Sequence, residues 1–108
     1  MSERFSLSKQ RYMTSRIEQQ LDYDLILFLW SLIEDARKSV NLDYLQILNL
    51  SRIEKKDEKS ILQGIYQTQE QPPYSRNYVI PITGQLIVDR IYIIDEPDYS
   101  VMLFAGEY

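Results

Sequence analysis

The reactive side chains of this sequence are limited to carboxylates, hydroxyls and amines, because its 108 residues include no His and no Cys. The chain therefore lacks the groups that form Ser-His-Asp triads, cysteine nucleophiles, histidine acid–base pairs and the usual zinc sites. Its three glycines, Gly64, Gly84 and Gly106, form no phosphate-binding loop pattern. We predict a protein that is not an enzyme and uses no cofactor. An enzyme based on carboxylates or tyrosines is a less favoured alternative.

The densest group of candidate metal ligands is the acidic run formed by Asp95, Glu96 and Asp98. Carboxylate oxygens bind Ca²⁺ and Mg²⁺. However, Pro97 occupies the position of the third ligand of a calcium-binding loop, and Ser100 occupies the position of its glycine. An ordinary acidic turn without a metal is therefore the favoured interpretation.

The other charged pairs favour exposed surfaces over sites. Glu34 and Asp35 are adjacent on a predicted helix, so their side chains point about 100° apart, which suits an acid–base pair poorly. Lys55 and Lys56 could meet a phosphate group, but two acidic residues follow them directly and offset their charge.

Tyr23, Leu27 and Trp30 form the candidate interaction surface, which we call the helix stripe. Their spacing places them on one side of a helix, and Leu27 interrupts an otherwise polar face. Tyr and Trp are frequent anchors of protein interfaces. Two interpretations stay open. Either the stripe binds a partner, or it is covered by a loop or by Phe5 and Leu7 of the N-terminal segment, and internal packing is the commoner outcome for such a stripe.

The helix stripe belongs to the main predicted helix, at about residues 23–39, around which the fold is organised. Asp22 or Asp24 can cap its first turn, and Arg37 and Lys38 suit the negative end of its dipole. A second, wider apolar face is predicted to pack in the core. Its residues are Leu25, Leu29, Leu32, Ile33, Ala36 and Val40.

After residue 41 the sequence consists mainly of short strand patterns. We predict strands at residues 42–53, 60–68, 76–80, 85–94 and 99–104, and a further one at residues 11–17. Short connections favour antiparallel pairing. The predicted fold class is α+β: a twisted antiparallel sheet of about five to six strands, with the main helix packed on one face. The other face is left to solvent or to a partner, and the nine Tyr residues suit it.

The length predicts a single domain, at residues 11–108, after a flexible N-terminal tail at residues 1–10. Residues 1–20 contain four basic and two acidic residues, whereas residues 95–108 contain four acidic residues and no basic one. The two ends should therefore attract each other, for example as neighbouring strands. Surface ion pairs contribute under about 1 kcal/mol each, so charge would orient this pairing without causing it.

Several segments carry a family resemblance: Arg11–Thr14, Leu27–Ile33, Leu42–Gln46, Ser100–Leu103 and Glu107–Tyr108. Together they resemble a small uncharacterised family of low-GC Gram-positive bacteria, the domain of unknown function with the number nine-sixty. The resemblance implies a natural domain of the bacterial cytoplasm. It implies no activity, cofactor or catalytic residue.

The leading functional hypothesis is a non-enzymatic protein-interaction module in the cytoplasm. Its protein partner is not identified by the sequence, and a homodimer is one candidate. No apolar run approaches the roughly 18 residues of a membrane span, residues 1–20 lack the apolar core of a signal peptide, and the net charge of −4 argues against direct nucleic-acid binding. The alternative is an acidic inhibitor or nucleic-acid mimic of the mobile-element type, which would fill a basic groove with its carboxylates.

Overall fold

The computed structural model describes residues 4–56 and 60–108. Its helices are α1 (Ser15–Gln20) and α2 (Tyr23–Arg37), and a short 3-10 helix (Ala105–Glu107) follows the last strand. An α+β fold with one main helix confirms the predicted fold class. The strands are β1 (Gln10–Met13), β2 (Leu45–Lys55), β3 (Ser60–Gln69), β4 (Tyr74–Ile80), β5 (Asp89–Asp95) and β6 (Tyr99–Phe104).

The first strand is shorter than predicted, because the chain enters helix α1 at Ser15. Thr14 has an extended backbone, and its Oγ1 accepts the backbone N–H of Ile17 at 3.3 Å, which caps the helix. The interpretation of residues 11–17 as a strand is therefore wrong beyond Met13. Thr14 and Ile17 are β-branched and favour a strand locally, but the cap and the burial of Ile17 in the core decide for a helix.

Helix α2 corresponds to the main helix predicted at about residues 23–39. Asp22 Oδ2 accepts the backbone N–H of Asp24 at 3.2 Å, so the predicted acidic cap is present. The helix ends at Arg37, and Val40 lies beyond it, half-buried. The other predicted core-face residues are all buried: Leu25, Leu29, Leu32, Ile33 and Ala36.

The six strands form one mixed sheet in the order β1-β6-β5-β2-β3-β4. Four neighbouring pairs are antiparallel as predicted, but β1 runs parallel to β6. The prediction of a wholly antiparallel sheet is wrong at this edge. Short connections constrain only strands that follow one another, whereas β1 and β6 are the first and last strands of the chain.

The parallel pair brings the two ends of the chain together, which confirms their predicted attraction. Lys9 Nζ lies 2.8 Å from Asp95 Oδ2, and Arg4 approaches the same oxygen to 3.6 Å. The Asp95 side chain is 0% exposed. This contact is therefore a buried ion pair and not the surface pair that the charge pattern alone suggested.

Arg4, Phe5 and Lys9 of the N-terminal segment also contact the domain. Phe5 is fully buried in the core although its φ is 57°, a conformation that non-glycine residues seldom adopt. The packed part of the chain thus includes residues before the predicted domain boundary at 11, within the segment predicted as a flexible tail. Residues 1–3 lie outside the described residues.

The core lies between the two helices and one face of the sheet. Alternate residues of each strand point towards the helices, and the buried strand residues follow this alternation. They are Leu48 and Leu50 on β2, Ile65 on β3, Ile91 and Ile93 on β5, and Met102 and Phe104 on β6.

Strand β5 begins at Asp89, later than the predicted start at residue 85. In the residues before Asp89, the side chain of Gln63 makes the backbone hydrogen bonds that a neighbouring strand would otherwise make. The amide of Gln63 accepts the backbone N–H of Ile87 at 2.9 Å and donates to the Ile87 carbonyl at 2.8 Å. The backbone N–H and C=O of Ile87 are thereby hydrogen-bonded although Ile87 is not paired with another strand. Strand β2 ends at Lys55, two residues beyond the predicted end at residue 53, and residues 57–59 lie outside the described residues.

Candidate interaction surfaces

The side of the sheet away from the helices, called the open face below, presents the strand residues that alternate with the core residues. Its centre lies on β5 and β2, where Tyr92 is paired with Ile47. The apolar and aromatic side chains of the open face are Tyr12, Leu45, Ile47, Ile53, Leu62, Tyr66, Val79, Tyr92, Ile94, Tyr99, Val101 and Leu103.

Contacts between neighbouring strands hold the open face in place. The rings of Tyr12 and Tyr99 meet edge to face with centroids 5.7 Å apart, across the β1–β6 pair. Arg90 Nε donates to Asn49 Oδ1 at 2.9 Å, across the β5–β2 pair. Such cross-strand contacts keep the side chains in fixed positions on the sheet.

The connecting segments that reach the core do so on the helix side. Phe5, Leu42 and Ile87 all belong to or pack against the core cluster. On the open face, Tyr108 lies beside Tyr92, with ring centroids 5.7 Å apart, and is itself highly exposed. Helices α1 and α2 lie on the other side of the sheet, and the 3-10 helix contacts β5. Most apolar side chains of the open face are half-buried or exposed, whereas Ile94 is buried.

The open face carries little charge. Among the described strand residues it presents Arg90 and Lys55 and no carboxylate, although the chain contains 16 acidic residues. The acidic residues of the described strands, Glu54, Asp89 and Asp95, alternate to the other face. An apolar surface without carboxylates thus lies on a protein of net negative charge.

Gly64 contributes to the packing of this face. A Cβ atom at Gly64 would lie 2.6 Å from Ser51 Oγ and 2.7 Å from Ile53 Cγ1. Both distances are shorter than the van der Waals contacts of a Cβ atom. Gly64 pairs with Ser51 in an unbroken register. A glycine within a strand can mark either a bulge or a close approach. Gly64 marks a close approach, because side chains of the adjacent strand occupy the space next to its Cα atom.

The structure separates the three residues of the helix stripe. Tyr23 and Leu27 are 65% and 49% exposed, whereas Trp30 is 8% exposed. The guanidinium of Arg11 lies 4.8 Å from the centroid of a Trp30 ring, a cation–π contact. Strand β1 thus supplies a neighbour for the Trp30 end of the stripe, while the Tyr23 and Leu27 end faces solvent.

Arg11 is itself held by an acidic residue of helix α2. It forms an ion pair with Glu34, which also pairs with Arg37 at 3.0 Å. Leu7, one of the residues considered as a cover for the stripe, is highly exposed. The stripe therefore offers two neighbouring exposed side chains, Tyr23 and Leu27, which form a smaller apolar surface than the open face.

The acidic turn at residues 95–98 does not gather its carboxylates at one point. Asp95 points inward and accepts from Ser100 Oγ at 2.9 Å in addition to its contacts with Lys9 and Arg4. Among residues 4–56 and 60–108, no three acidic side chains are grouped so that they could hold a metal ion. The role of Asp95 visible in the structure is to join the two ends of the chain.

The family profile described as "Staphylococcal protein of unknown function (DUF960)" matches residues 10–107. The chain belongs to the DUF960 family. This confirms the resemblance of the sequence segments to that family, and the match also covers the residues between 52 and 90.

A solved structure has the same fold as this DUF960 member. It is described as "Crystal structure of the protein of unknown function from Enterococcus faecalis", and the two chains share 21% identity with a TM-score of 0.81. The similarity covers 100% of this chain and 98% of the other. No curated protein matches the sequence.

The helices of this family member are short. In the described part of the chain, none combines the length and the apolar character needed to cross a bilayer.

Proposed function

We propose that the protein is a non-enzymatic interaction module that binds another protein chain through the open face of its sheet. The observation that carries this proposal is the extent of apolar and aromatic surface on a sheet face that neither α1 nor α2 covers. The largest apolar patch on a monomer, typically about 300–600 Å², is often functional, and apolar patches rimmed by polar residues mark binding sites. The binding would take place in the cytoplasm of the bacterium.

The chemistry of the face supports protein binding over nucleic-acid binding. Single-stranded nucleic acids are bound by aromatic platforms set in a positively charged groove. The open face has tyrosines, but only Arg90 and Lys55 add positive charge among its described residues. Aliphatic side chains such as Ile47, Val101 and Leu103 dominate between them, as in the core of a protein interface.

The environment of two carboxylates supports a structural role for them. Asp95 is buried against Lys9, and Glu34 pairs with Arg11 and Arg37. Carboxylates engaged in this way are poorly available either for acid–base catalysis or for the electrostatic surface of a nucleic-acid mimic.

Two matched tyrosine substitutions test the proposal. Tyr66 lies on the open face, Tyr23 lies on the helix stripe, and both are exposed. Wild-type protein, Tyr66→Lys and Tyr23→Lys would be immobilised and used to capture chains from an extract of the host bacterium. We expect a captured chain that wild type and Tyr23→Lys retain and Tyr66→Lys loses.

The opposite pattern would assign binding to the helix stripe and overturn the open face as the binding surface. Capture that neither substitution changes would contradict binding at both surfaces. Circular dichroism and thermal unfolding of the three proteins would establish that the fold is retained, so that a loss of capture reports on the surface.

A further inference from the structure

We infer that the occupant of the open face is a second copy of this chain, so that two sheets pack face to face in a symmetric dimer. This inference rests on the proposed function and names its partner. A twofold axis lying between the two sheets would bring the same surface of each copy into contact, as in most protein dimers. The pair formed by Ile47 and Tyr92 lies at the middle of the sheet and would meet the middle of the other copy.

The distribution of charge favours a second copy over a foreign partner. A partner selected by electrostatic attraction to this acidic chain would be basic and would need carboxylates in the contact. The described strands present none on the open face, whereas Glu54, Asp89 and Asp95 lie on the other side. Two copies can therefore meet here without bringing acidic groups together, despite the net charge of −4 on each.

The two cations of the face are compatible with such a contact. Arg90 is already hydrogen-bonded to Asn49 on the neighbouring strand. Lys55 lies at the end of β2, remote from the central pair of Ile47 and Tyr92. Arg is common within interfaces, and charged residues at their rims are readily solvated.

The shape of the face also matches a second copy. Two sheets with the same twist pack face to face with their strands within about 30° of each other and about 10 Å apart. The sheet of a second copy has the same twist and can therefore pack in this way. Large side chains such as Tyr66, Tyr92 and Tyr99 can then interdigitate with smaller ones, such as Val101, of the other copy.

The area of the face agrees with that of a stable dimer. Six strands about 4.8 Å apart and about seven residues long, at about 3.3 Å per residue, cover roughly 600 Å² in projection. Standard interfaces bury about 600–1,000 Å² on each partner. A face-to-face dimer that uses the whole face therefore reaches the lower end of this range.

The test combines the mass in solution with site-specific cross-linking of the full chain. Light scattering after size-exclusion chromatography should give twice the 12.9 kDa of one chain, and Tyr66→Lys should return the mass to that of one chain. Because the sequence has no Cys, a single introduced cysteine is the only thiol in each chain that can react with a maleimide. A short bis-maleimide should join two copies of Ile47→Cys, near the centre of the open face, and leave Leu27→Cys, on the helix stripe, largely unlinked.

A wild-type mass of one chain across a wide concentration range overturns the inference, as does equal cross-linking at Ile47→Cys and Leu27→Cys. The wild-type mass needs no substitution and so does not depend on how well a variant folds. If the protein is monomeric but still captures a different chain in a Tyr66-dependent manner, the second copy is excluded and the proposed function stands. A monomer whose captured chains are unchanged in Tyr66→Lys contradicts both.

Discussion

Replacement of Asp95 by Ala should destabilise the protein strongly, because Asp95 joins the two ends of the chain through a buried ion pair with Lys9. Its side chain is 0% exposed and lies 2.8 Å from Lys9 Nζ. It also accepts from Ser100 Oγ at 2.9 Å. Loss of the carboxylate would leave the Lys9 ammonium, whose side chain is only 15% exposed, without its anionic partner.

The magnitude follows from these contacts. Hydrogen bonds to charged groups contribute about 1.5–3 kcal/mol, and removal of one partner of a buried ion pair costs about 3–5 kcal/mol. Lys9 would keep the carbonyl of Glu96, which accepts from its Nζ at 2.9 Å. We therefore expect Asp95→Ala to lower the free energy of unfolding by about 3 kcal/mol, at the lower end of that range.

A double-mutant cycle isolates the pair. Lys9→Met keeps the apolar stem of the side chain and leaves the Asp95 carboxylate with Ser100 and Arg4. We expect it to cost about 2 kcal/mol. The double variant leaves neither charge unpaired, so its loss should fall short of the sum of the single losses by about 2 kcal/mol.

Urea unfolding followed by fluorescence is a suitable assay, because Trp30 is the single Trp and is buried. The matched control is Asp98→Ala in the same turn, where the exposed carboxylate should contribute within about 0.5 kcal/mol. Equal losses for Asp95→Ala and Asp98→Ala, or strict additivity in the cycle, would refute the buried pair as a stabilising link between the chain ends.

The remaining predictions concern the core, the open face and the helix stripe. Gln63→Met should cost about 3 kcal/mol, because it leaves the buried N–H and C=O of Ile87 without partners; unchanged hydrogen exchange at the Ile87 amide would contradict this role. Leu29→Ala should cost about 3 kcal/mol from a fully buried site, whereas Leu27→Asp, at a half-exposed one, should cost under about 1 kcal/mol in the same urea assay. Gly64→Val should cost about 1–3 kcal/mol by overpacking against β2, and a variant as stable as wild type would show that the side chains of β2 move aside freely.

The local sequence determined the elements with strong periodic patterns. Helix α2 begins at Tyr23 as predicted, and β6 has the predicted bounds of Tyr99 and Phe104. Both carry consistent signals: an acidic cap and an apolar stripe in the helix, and a turn with Pro97 before the strand. The charge difference between the two ends of the chain predicted that they attract each other, and the ion pair of Lys9 with Asp95 agrees with this. The sequence did not indicate which residues would pair.

Local patterns failed where a distant residue decided the outcome. Residues 11–17 contain β-formers, but the chain becomes helical after the Thr14 cap and buries Ile17 against the sheet. Residues 85–88 resemble the strand that follows them, but the side chain of Gln63 occupies the hydrogen-bonding groups of Ile87. In each case tertiary packing outweighs a local preference that is worth less than about 1 kcal/mol.

The candidate surfaces divide in the same way. The sequence alone identified an abundance of Tyr and a sheet with one face left over, and it identified Tyr23, Leu27 and Trp30 as neighbours on a helix. Only the tertiary structure decided that Arg11 packs on Trp30, and which strand residues form the open face. The physical reason is that strand alternation defines two faces without saying which one the helices will cover, and that choice depends on packing across the whole chain.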